Sequence, residues 1–188
     1  MMSSKNLEMW GVYPISEKAV EKGGIMMYNN LKWGEIMIKI LFVCLGNICR
    51  SPMAEFVMKD MVKKAGRADE FYIASAATSS EEIGNPVHHG TRNKLSKYGI
   101  SVAGKYAIKL TKADYDKYDY IIGMDDYNIR AIGRITGGDP QEKIYKLLDF
   151  AGGGSIADPW YTGNFDETYD DVLRGCEGLL KHIDEIKK

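Results

Sequence analysis

The chain has 188 residues, 45% of them hydrophobic and 27% charged, which fits one globular domain with its own core better than two ordinary domains. Its formal net charge of −1 offers no electrostatic attraction for nucleic acid, and no run of about 18 apolar residues predicts a membrane span. The three cysteines, an odd number, fit a reducing compartment better than a disulfide framework. We therefore expect a cytoplasmic protein that binds neither nucleic acid nor membrane.

The N-terminal residues 1–36 show no clear periodicity, and we expect them to lie outside the domain formed by residues 37–188. The residues just before several methionines can be encoded by purine-rich RNA that resembles a ribosome-binding site. This supports the hypothesis that, in a bacterial source, the chain starts at Met26, Met27 or Met37. The alternative is an additional helix that packs on the domain. The mass of the endogenous protein distinguishes the two.

From Ile38 onward, strand and helix signals alternate, which predicts an α/β fold with a parallel sheet covered by helices. The predicted strands are Ile38 to Val43, Phe71 to Ala74, Tyr118 to Met124 and Lys143 to Leu148. The first predicted helix begins near Pro52, the second spans about Thr91 to Tyr98, and the third follows the capping-box sequence Thr111 to Asp114. The fourth begins near Asp126, and the last carries an apolar stripe from Tyr169 to Ile183. Residues 152–164 are predicted to be a loop.

The segment between the first predicted strand and helix carries the strongest chemical signal. Cys44 is followed after five residues by Arg50, whose planar guanidinium matches two oxygens of a phosphate. Gly46 and Asn47 tolerate the tight turn that points backbone N–H groups at an anion. The same positive field stabilises a thiolate at Cys44, which makes it a nucleophile, and the hydroxyl of Ser51 can donate a hydrogen bond to that sulfur. The alternative is a small buried cysteine with no chemistry.

These residues are similar to the signature of the low-molecular-weight protein tyrosine phosphatases. The resemblance spans residues 37–188 and is carried by Cys44 to Glu55, Ser75 to Ser79, Gly84-Asn85-Pro86, Met124-Asp125 and Asp158-Pro159-Trp160-Tyr161. It implies a four-stranded parallel sheet flanked by helices on both faces, with a phosphate-binding loop between the first strand and the first helix. It also implies hydrolysis of phosphotyrosine in a protein substrate through a cysteinyl-phosphate intermediate, without a metal or other cofactor. We expect a monomer or a weak dimer.

Roles for individual side chains follow from this resemblance. Asp158 occupies the general-acid position, although Asp-Pro on its own is also a common turn. Trp160 and Tyr161 are interpreted as the walls of a slot for the substrate ring, with loop packing as the alternative. The family positions that bind phosphate or support the loop are Leu45, Gly46, Asn47, Ile48, Cys49, Arg50, Ser51, Ser75 and Asp125.

Three further positions refine the interpretation. Ile48 favours tyrosine as the substrate, since the related protein-arginine phosphatases tend to have threonine there. Cys49 matches the cysteine that forms a reversible disulfide with the nucleophile, with space filling as the alternative, whereas Cys176 is expected in the core. Lys105 replaces a histidine that many relatives have, so we expect a different bracing network beneath the loop.

Alternative functions remain open at this point. An arsenate reductase of the same fold would share the nucleophile but would need a resolving cysteine on a mobile segment. A phosphopeptide-binding domain would keep Arg50 without needing Cys44 or Asp158. A metal-binding or redox module would use the remaining cysteines and histidines, although no second closely spaced cysteine pair exists for zinc; its candidate ligands are Cys44, Cys49, Cys176, His88, His89 and His182.

Overall fold

A computed structural model of the protein describes residues 37–187. The elements in chain order are β1 (Ile38–Cys44), α1 (Arg50–Lys64), β2 (Phe71–Ala77), α2 (His89–Ser96), α3 (Asp114–Lys117), β3 (Tyr120–Gly123), α4 (Asp126–Thr136), β4 (Ile144–Lys146), α5 (Pro159–Thr162) and α6 (Phe165–Ile186). Short 3-10 turns occupy Ala68–Glu70 and Leu147–Ala151. The predictions for residues 1–36 lie outside the described residues.

The four strands form one parallel sheet in the order β2-β1-β3-β4, which confirms the predicted fold class. Central β1 is buried on both faces because its side chains from Ile40 to Val43 are all apolar. The chain leaves β1 to one side for β2 and returns to the other side for β3. Ligands of open parallel sheets bind at the carboxyl ends of the strands where the strand order reverses, and Cys44 is the last residue of β1 at that point.

Helices on the two faces of the sheet close two apolar layers. One layer includes Met53 and Met58 of α1 with Leu179 and Ile183 of α6. Cys176, on the buried face of α6, is fully enclosed in this layer, which confirms the expectation that it lies in the core. The other face contains Leu41, Val43, Leu110, Ile121 and Ile132. This packing holds the end of β1 and the start of α1 in a fixed relation.

The predicted boundaries differ from the structure in several places, including β3, which is Tyr120–Gly123 and not Tyr118 to Met124, and α2, which is His89–Ser96 and not Thr91 to Tyr98. β2 extends to Ala77, and β4 is only three residues long because a 3-10 turn begins at Leu147. The predicted loop of residues 152–164 contains the one-turn helix α5, which Pro159 begins and which the Asp158 side chain caps by accepting the Trp160 N–H. Between residues 37 and 187, no helix combines the length and the apolar character needed to cross a bilayer.

Candidate active site

The loop from Cys44 to Ser51 turns its backbone N–H groups inward. The carbonyl oxygens of Cys44, Leu45 and Ile48 accept bonds of 2.8–2.9 Å from the N–H groups of Thr78, Ser79 and His88, which lie outside the loop. In a trans peptide the next N–H points opposite to the carbonyl, so these peptides direct their donors toward the centre. Asn47 completes the turn with a φ of 57°, a left-handed conformation that asparagine tolerates.

The sulfur of Cys44 lies within this ring of donors. The Asn47 N–H donates to Sγ at 3.3 Å, and the hydroxyl oxygen of Ser51 lies 3.0 Å from Sγ. Both the N–H and the hydroxyl are groups that can donate a hydrogen bond to the sulfur. The structure therefore places the predicted hydroxyl neighbour, Ser51, against the sulfur of Cys44.

Asn47 connects the loop to β2. Its Nδ2 donates to the hydroxyl oxygens of Ser51 at 2.9 Å and Ser75 at 2.8 Å, and its Oδ1 accepts the Ile108 N–H at 3.1 Å. Asn47, Ser51 and Ser75 are all fully buried. A buried polar network in which each group has a partner favours a single conformation of the loop.

Arg50, the first residue of α1, contacts two carboxylates. Its Nη1 donates to Asp125 Oδ2 at 2.5 Å and to the Ile156 carbonyl at 3.1 Å, and its Nη2 donates to Asp158 Oδ2 at 2.6 Å. Burial opposes the charge of Arg50, but the charges of Cys44 and Asp158 and the hydrogen bond to Asp125 outweigh burial and raise the pKa of the guanidinium. Its buried Nε has no acceptor among residues 37–187, so it remains a donor for an anion.

Asp158 is brought to the site from the far end of the chain. Its Oδ1 accepts the Trp160 N–H at 3.1 Å while its Oδ2 contacts Arg50. Asp158 lines the same cavity as Cys44, so the structure brings together two residues separated by more than a hundred positions along the chain.

A cleft opens from Cys44 to the surface and has a volume of about 130 Å³. Exposed Leu45, Trp160 and Tyr161 form its apolar walls together with Ile48, which is buried. A benzene ring occupies an apolar cavity of roughly 150 Å³ in a designed case, so the cleft suits one aromatic ring. The expected ring walls Trp160 and Tyr161 both line it.

Several residues at the site were not singled out from the sequence. Glu81 and Glu82 line the mouth of the cleft, and no sequence pattern marked them. Glu55, on α1, accepts the Ser75 hydroxyl at 2.5 Å and lies 2.9 Å from the ammonium group of Lys105. The expected difference in the bracing network thus has a concrete form, in which a lysine and a buried glutamate meet beneath Ser75.

The second cysteine of the loop is held as a thiol. Burial and, next, the nearby charge of Cys44 raise the pKa of Cys49 to about 12. All three cysteines of the chain are free. Among residues 37–187, no three His, Cys, Asp or Glu side chains are grouped closely enough to hold a metal ion. The alternative of a metal-binding module therefore finds no ligand set there.

Comparison with known proteins gives a consistent result. Residues 39–188 match the family model described as low molecular weight phosphotyrosine protein phosphatase. The chain is 43% identical over 155 residues to the low molecular weight protein-tyrosine-phosphatase YfkJ of Bacillus subtilis, which covers 81% of this chain and 99% of that protein.

Solved structures extend the comparison. The crystal structure of YfkJ superimposes with a TM-score of 0.77 at 42% identity, covering 81% of this chain and 98% of that one. The low molecular weight protein tyrosine phosphatase SP-PTP of Streptococcus pyogenes gives 0.70 at 44% identity, covering 78% and 93%. The Drosophila arginine phosphatase DARP gives 0.71 at 29% identity, covering 78% and 98%, so the fold is shared by enzymes named for different phosphorylated residues.

Proposed function

The chain belongs to the low-molecular-weight protein-tyrosine-phosphatase family, a family of phosphomonoester hydrolases, and we propose that Cys44, Arg50 and Asp158 carry out its reaction. One observation supports these roles above all others. The sulfur of Cys44 and the carboxyl of Asp158 line one ring-sized cleft, and Arg50 is hydrogen-bonded to Asp158 beneath it. The arsenate reductase alternative is not favoured, because the relatives are named tyrosine phosphatases and Cys176 is buried in the core.

Binding of the phosphate group is the first part of the proposed mechanism. The inward N–H groups between Leu45 and Ser51 and the Nε of Arg50 surround the anion. A phosphate dianion also offers acceptors to Nη2 of Arg50, which releases Asp158 from its ion pair. Asp158 then takes up a proton and faces the bridging oxygen of the substrate.

The first chemical step forms the cysteinyl phosphate. The thiolate of Cys44 attacks phosphorus in line, a sulfur–phosphorus bond forms, and the bond from phosphorus to the tyrosyl oxygen breaks. The Asp158 carboxylic acid transfers its proton to that oxygen, so tyrosine leaves as a neutral phenol. Preorganised donors in the loop stabilise the charge on the phosphoryl oxygens throughout.

The second step returns the enzyme to its starting state. The Asp158 carboxylate removes a proton from a water molecule, whose oxygen attacks phosphorus as the sulfur–phosphorus bond breaks. The hydroxyl of Ser51, 3.0 Å from Sγ, donates a hydrogen bond to the departing thiolate. Inorganic phosphate is released and Cys44 is again a thiolate, and Asp158 gives up its proton to solvent as it re-forms the ion pair with Arg50.

The depth and walls of the cleft favour phosphotyrosine over other phosphorylated side chains. Phosphoserine is too short to place its phosphorus at Cys44 while contacting Trp160 and Tyr161 at the rim. Phosphoarginine carries a guanidinium group whose N–H donors need an acceptor, and Ile48 offers it only an apolar surface. We place the enzyme in the cytoplasm, as a monomer or weak dimer that binds phosphoprotein substrates and neither nucleic acid nor membrane.

The test is turnover of p-nitrophenyl phosphate and a phosphotyrosine peptide in the presence of a chelator. The intact chain should hydrolyse both, and Cys44→Ser should abolish turnover while isothermal titration still detects bound phosphate. Cys176→Ala, at a cysteine outside the cleft, is the control and should retain turnover. Residual turnover by Cys44→Ser, dependence on added zinc, or activity only with arsenate and thiols would overturn the proposal.

A further inference from the structure

A second groove lies beside the catalytic cleft and shares one wall with it. Leu45, Asp158 and Tyr161 line both the cleft and this groove. Beyond the shared wall, the groove is bounded by residues 125–130 at the start of α4 and by residues 155–157, and its volume is about 610 Å³. This side groove is therefore larger than the cleft and adjoins it at the surface.

The side groove carries large apolar side chains that are open to solvent. Tyr127 is 77% exposed and Tyr161 is 78% exposed, and Leu45 between the two cavities is also exposed. Arg130, three residues after Tyr127 on α4, places its guanidinium carbon 4.6 Å from the centre of the Tyr127 ring, which orients the ring. Exposed apolar side chains that are grouped beside a cleft are typical of a binding surface.

The carboxylates of the side groove already have cationic partners. Asp125 and Asp158 both pair with Arg50, and Asp126 pairs with Lys146 at 2.9 Å. Carboxylates that are matched in this way do not need a charged ligand, whereas the exposed apolar surface gains free energy when a ligand removes it from water. The chemistry of the groove therefore fits an apolar side chain.

The polypeptide that carries a phosphotyrosine must pass close to this groove. When the phosphate lies at Cys44, the ring fills the cleft and the substrate backbone lies at the rim, beside Tyr161. Residues within two positions of the phosphotyrosine have Cα atoms no more than about 7 Å from its own Cα. Because the cleft and the side groove share a wall, the substrate residues on one side of the phosphotyrosine lie over the groove.

From these observations we propose that the side groove is a subsite for a large apolar side chain located within two residues of the phosphotyrosine in the protein substrate. This side chain packs on the ring of Tyr127, between Leu45 and Tyr161. The subsite serves one side of the phosphotyrosine, because Glu81 and Glu82 line a part of the cleft mouth that the groove does not include. The proposal rests on the proposed function and deepens it, since it adds a second feature by which the substrate is selected.

The test is peptide binding by the full-length protein, measured by isothermal titration calorimetry. Each peptide carries a non-hydrolysable difluorophosphonate analogue of phosphotyrosine in a sequence of glycine and serine, with a single phenylalanine at one of the two positions before or the two positions after it. Phenylalanine on one side should lower Kd about tenfold relative to the peptide without it, as for a large apolar side chain that becomes partly buried. Phenylalanine on the other side should change Kd by no more than about twofold.

Substitutions locate the contact on the protein. Tyr127→Ala should remove most of the gain that phenylalanine gives, whereas Tyr127→Phe, which keeps the ring, should retain it. Tyr106→Ala is the matched control and should also retain the gain, since Tyr106 is an exposed tyrosine that lines neither the cleft nor the side groove. A peptide with glutamate in place of the phenylalanine tests Arg130, a lining cation that has no carboxylate partner among residues 37–187.

Several results would overturn the subsite. They are the absence of peptide binding, equal Kd values with and without phenylalanine, a larger gain from glutamate than from phenylalanine, and a full gain in Tyr127→Ala or an equal loss in Tyr106→Ala. Hydrolysis of the corresponding phosphotyrosine peptides is measured separately. Peptides that bind but are not hydrolysed by the unmodified protein would count against the proposed function, while the comparison of Kd values still decides the subsite.

Discussion

Asp125 contacts Arg50 with one carboxylate oxygen and caps helix α4 with the other. Its Oδ2 accepts from Nη1 of Arg50 at 2.5 Å, while its Oδ1 accepts the Asn128 N–H at 2.7 Å. Asp125, two residues after the end of β3, therefore holds both the start of helix α4 and the guanidinium group of Arg50. Part of its contribution is to stability and part to the orientation of Arg50.

The two contributions of Asp125 can be separated with two substitutions. Asp125→Ala removes both contacts and should lower the free energy of unfolding by about 1–2 kcal/mol, as for a lost N-cap, in urea denaturation. Asp125→Asn keeps an oxygen for Asn128 and should cost less than half of that. Both variants remove the carboxylate that holds Nη1 of Arg50, and kcat/KM should fall about tenfold in each. Equal destabilisation by the two substitutions would contradict the assigned capping role.

Removal of the general acid should depend on the leaving group. Asp158→Ala should slow hydrolysis of phenyl phosphate on the order of 10²–10⁴-fold, because a poor leaving group needs the proton. The loss should be much smaller for p-nitrophenyl phosphate, whose phenolate leaves unassisted. Asp166→Ala is the control, since Asp166 pairs with Lys94 outside the cleft. An equal loss on both substrates would show that Asp158 supports binding and not proton transfer.

The three cysteines should differ in reactivity. Burial raises the pKa of Cys49 to about 12 and raises that of fully enclosed Cys176 as well, so both remain neutral thiols near neutral pH. A brief treatment with iodoacetamide at pH 7 should therefore modify Cys44 alone, and inorganic phosphate should slow the reaction. Peptide mass mapping after denaturation, where all three react, is the control. Modification of Cys49 before Cys44 would contradict the assignment of the nucleophile.

The parts of the site that were predictable from the sequence are those whose signals are local. An apolar strand, a Gly46-Asn47 turn and Pro52 in the first turn of a helix lie within fifteen residues, so β1, the loop and α1 could be predicted together. The resemblance supplied Asp158, which local pattern alone left as an ordinary turn. The structure accounts for the position of Asp158, because the Arg50 guanidinium donates a hydrogen bond to its carboxylate.

What could not be predicted depends on distant contacts. Helix α5 has four residues, too few for any periodicity to appear. Glu55 looks like a surface residue of an amphipathic helix, and its burial only makes sense once Lys105 and Ser75 are seen against it. The pairing of two charges fifty residues apart cannot be inferred from the pattern of either segment alone. The sequence therefore shows that lysine replaces histidine, but not that this lysine pairs with Glu55.

Substrate choice should respond to Ile48. Ile48→Thr places a hydroxyl in the wall of the cleft, where it can accept a hydrogen bond from a guanidinium group, so we expect measurable hydrolysis of phosphoarginine that the unmodified chain lacks. The kcat/KM for a phosphotyrosine peptide should fall a few-fold through lost apolar contact. Ile48→Val, which keeps an apolar wall, is the matched control. If Ile48→Val gains the same phosphoarginine activity, the hydroxyl is not the determinant.

His88 links the loop to the wall of the cleft and should make stability depend on pH. The backbone N–H of His88 donates to the Ile48 carbonyl. Its ring stacks on Phe165 with an interplanar angle of 6° and meets Trp160 edge-on. Burial, and next the neighbouring His89, lower the pKa of His88, while Glu82 opposes them. The folded state therefore binds a proton less readily than the unfolded chain, whose histidine titrates near pH ~6.5.

The sign of the effect follows from this difference. At pH values between the lowered pKa of His88 and about 6.5, the unfolded chain binds more protons than the folded chain. The contribution of His88 to the free energy of unfolding is therefore fully present above pH ~6.5 and declines as the pH falls through this window. His88→Gln should remove the decline, so that the Tm difference between the unmodified protein and the variant narrows from neutral to mildly acidic pH. Thermal unfolding followed by circular dichroism at several pH values measures it. Parallel Tm curves for the two proteins would mean that the His88 ring contributes packing alone, with no proton linked to folding.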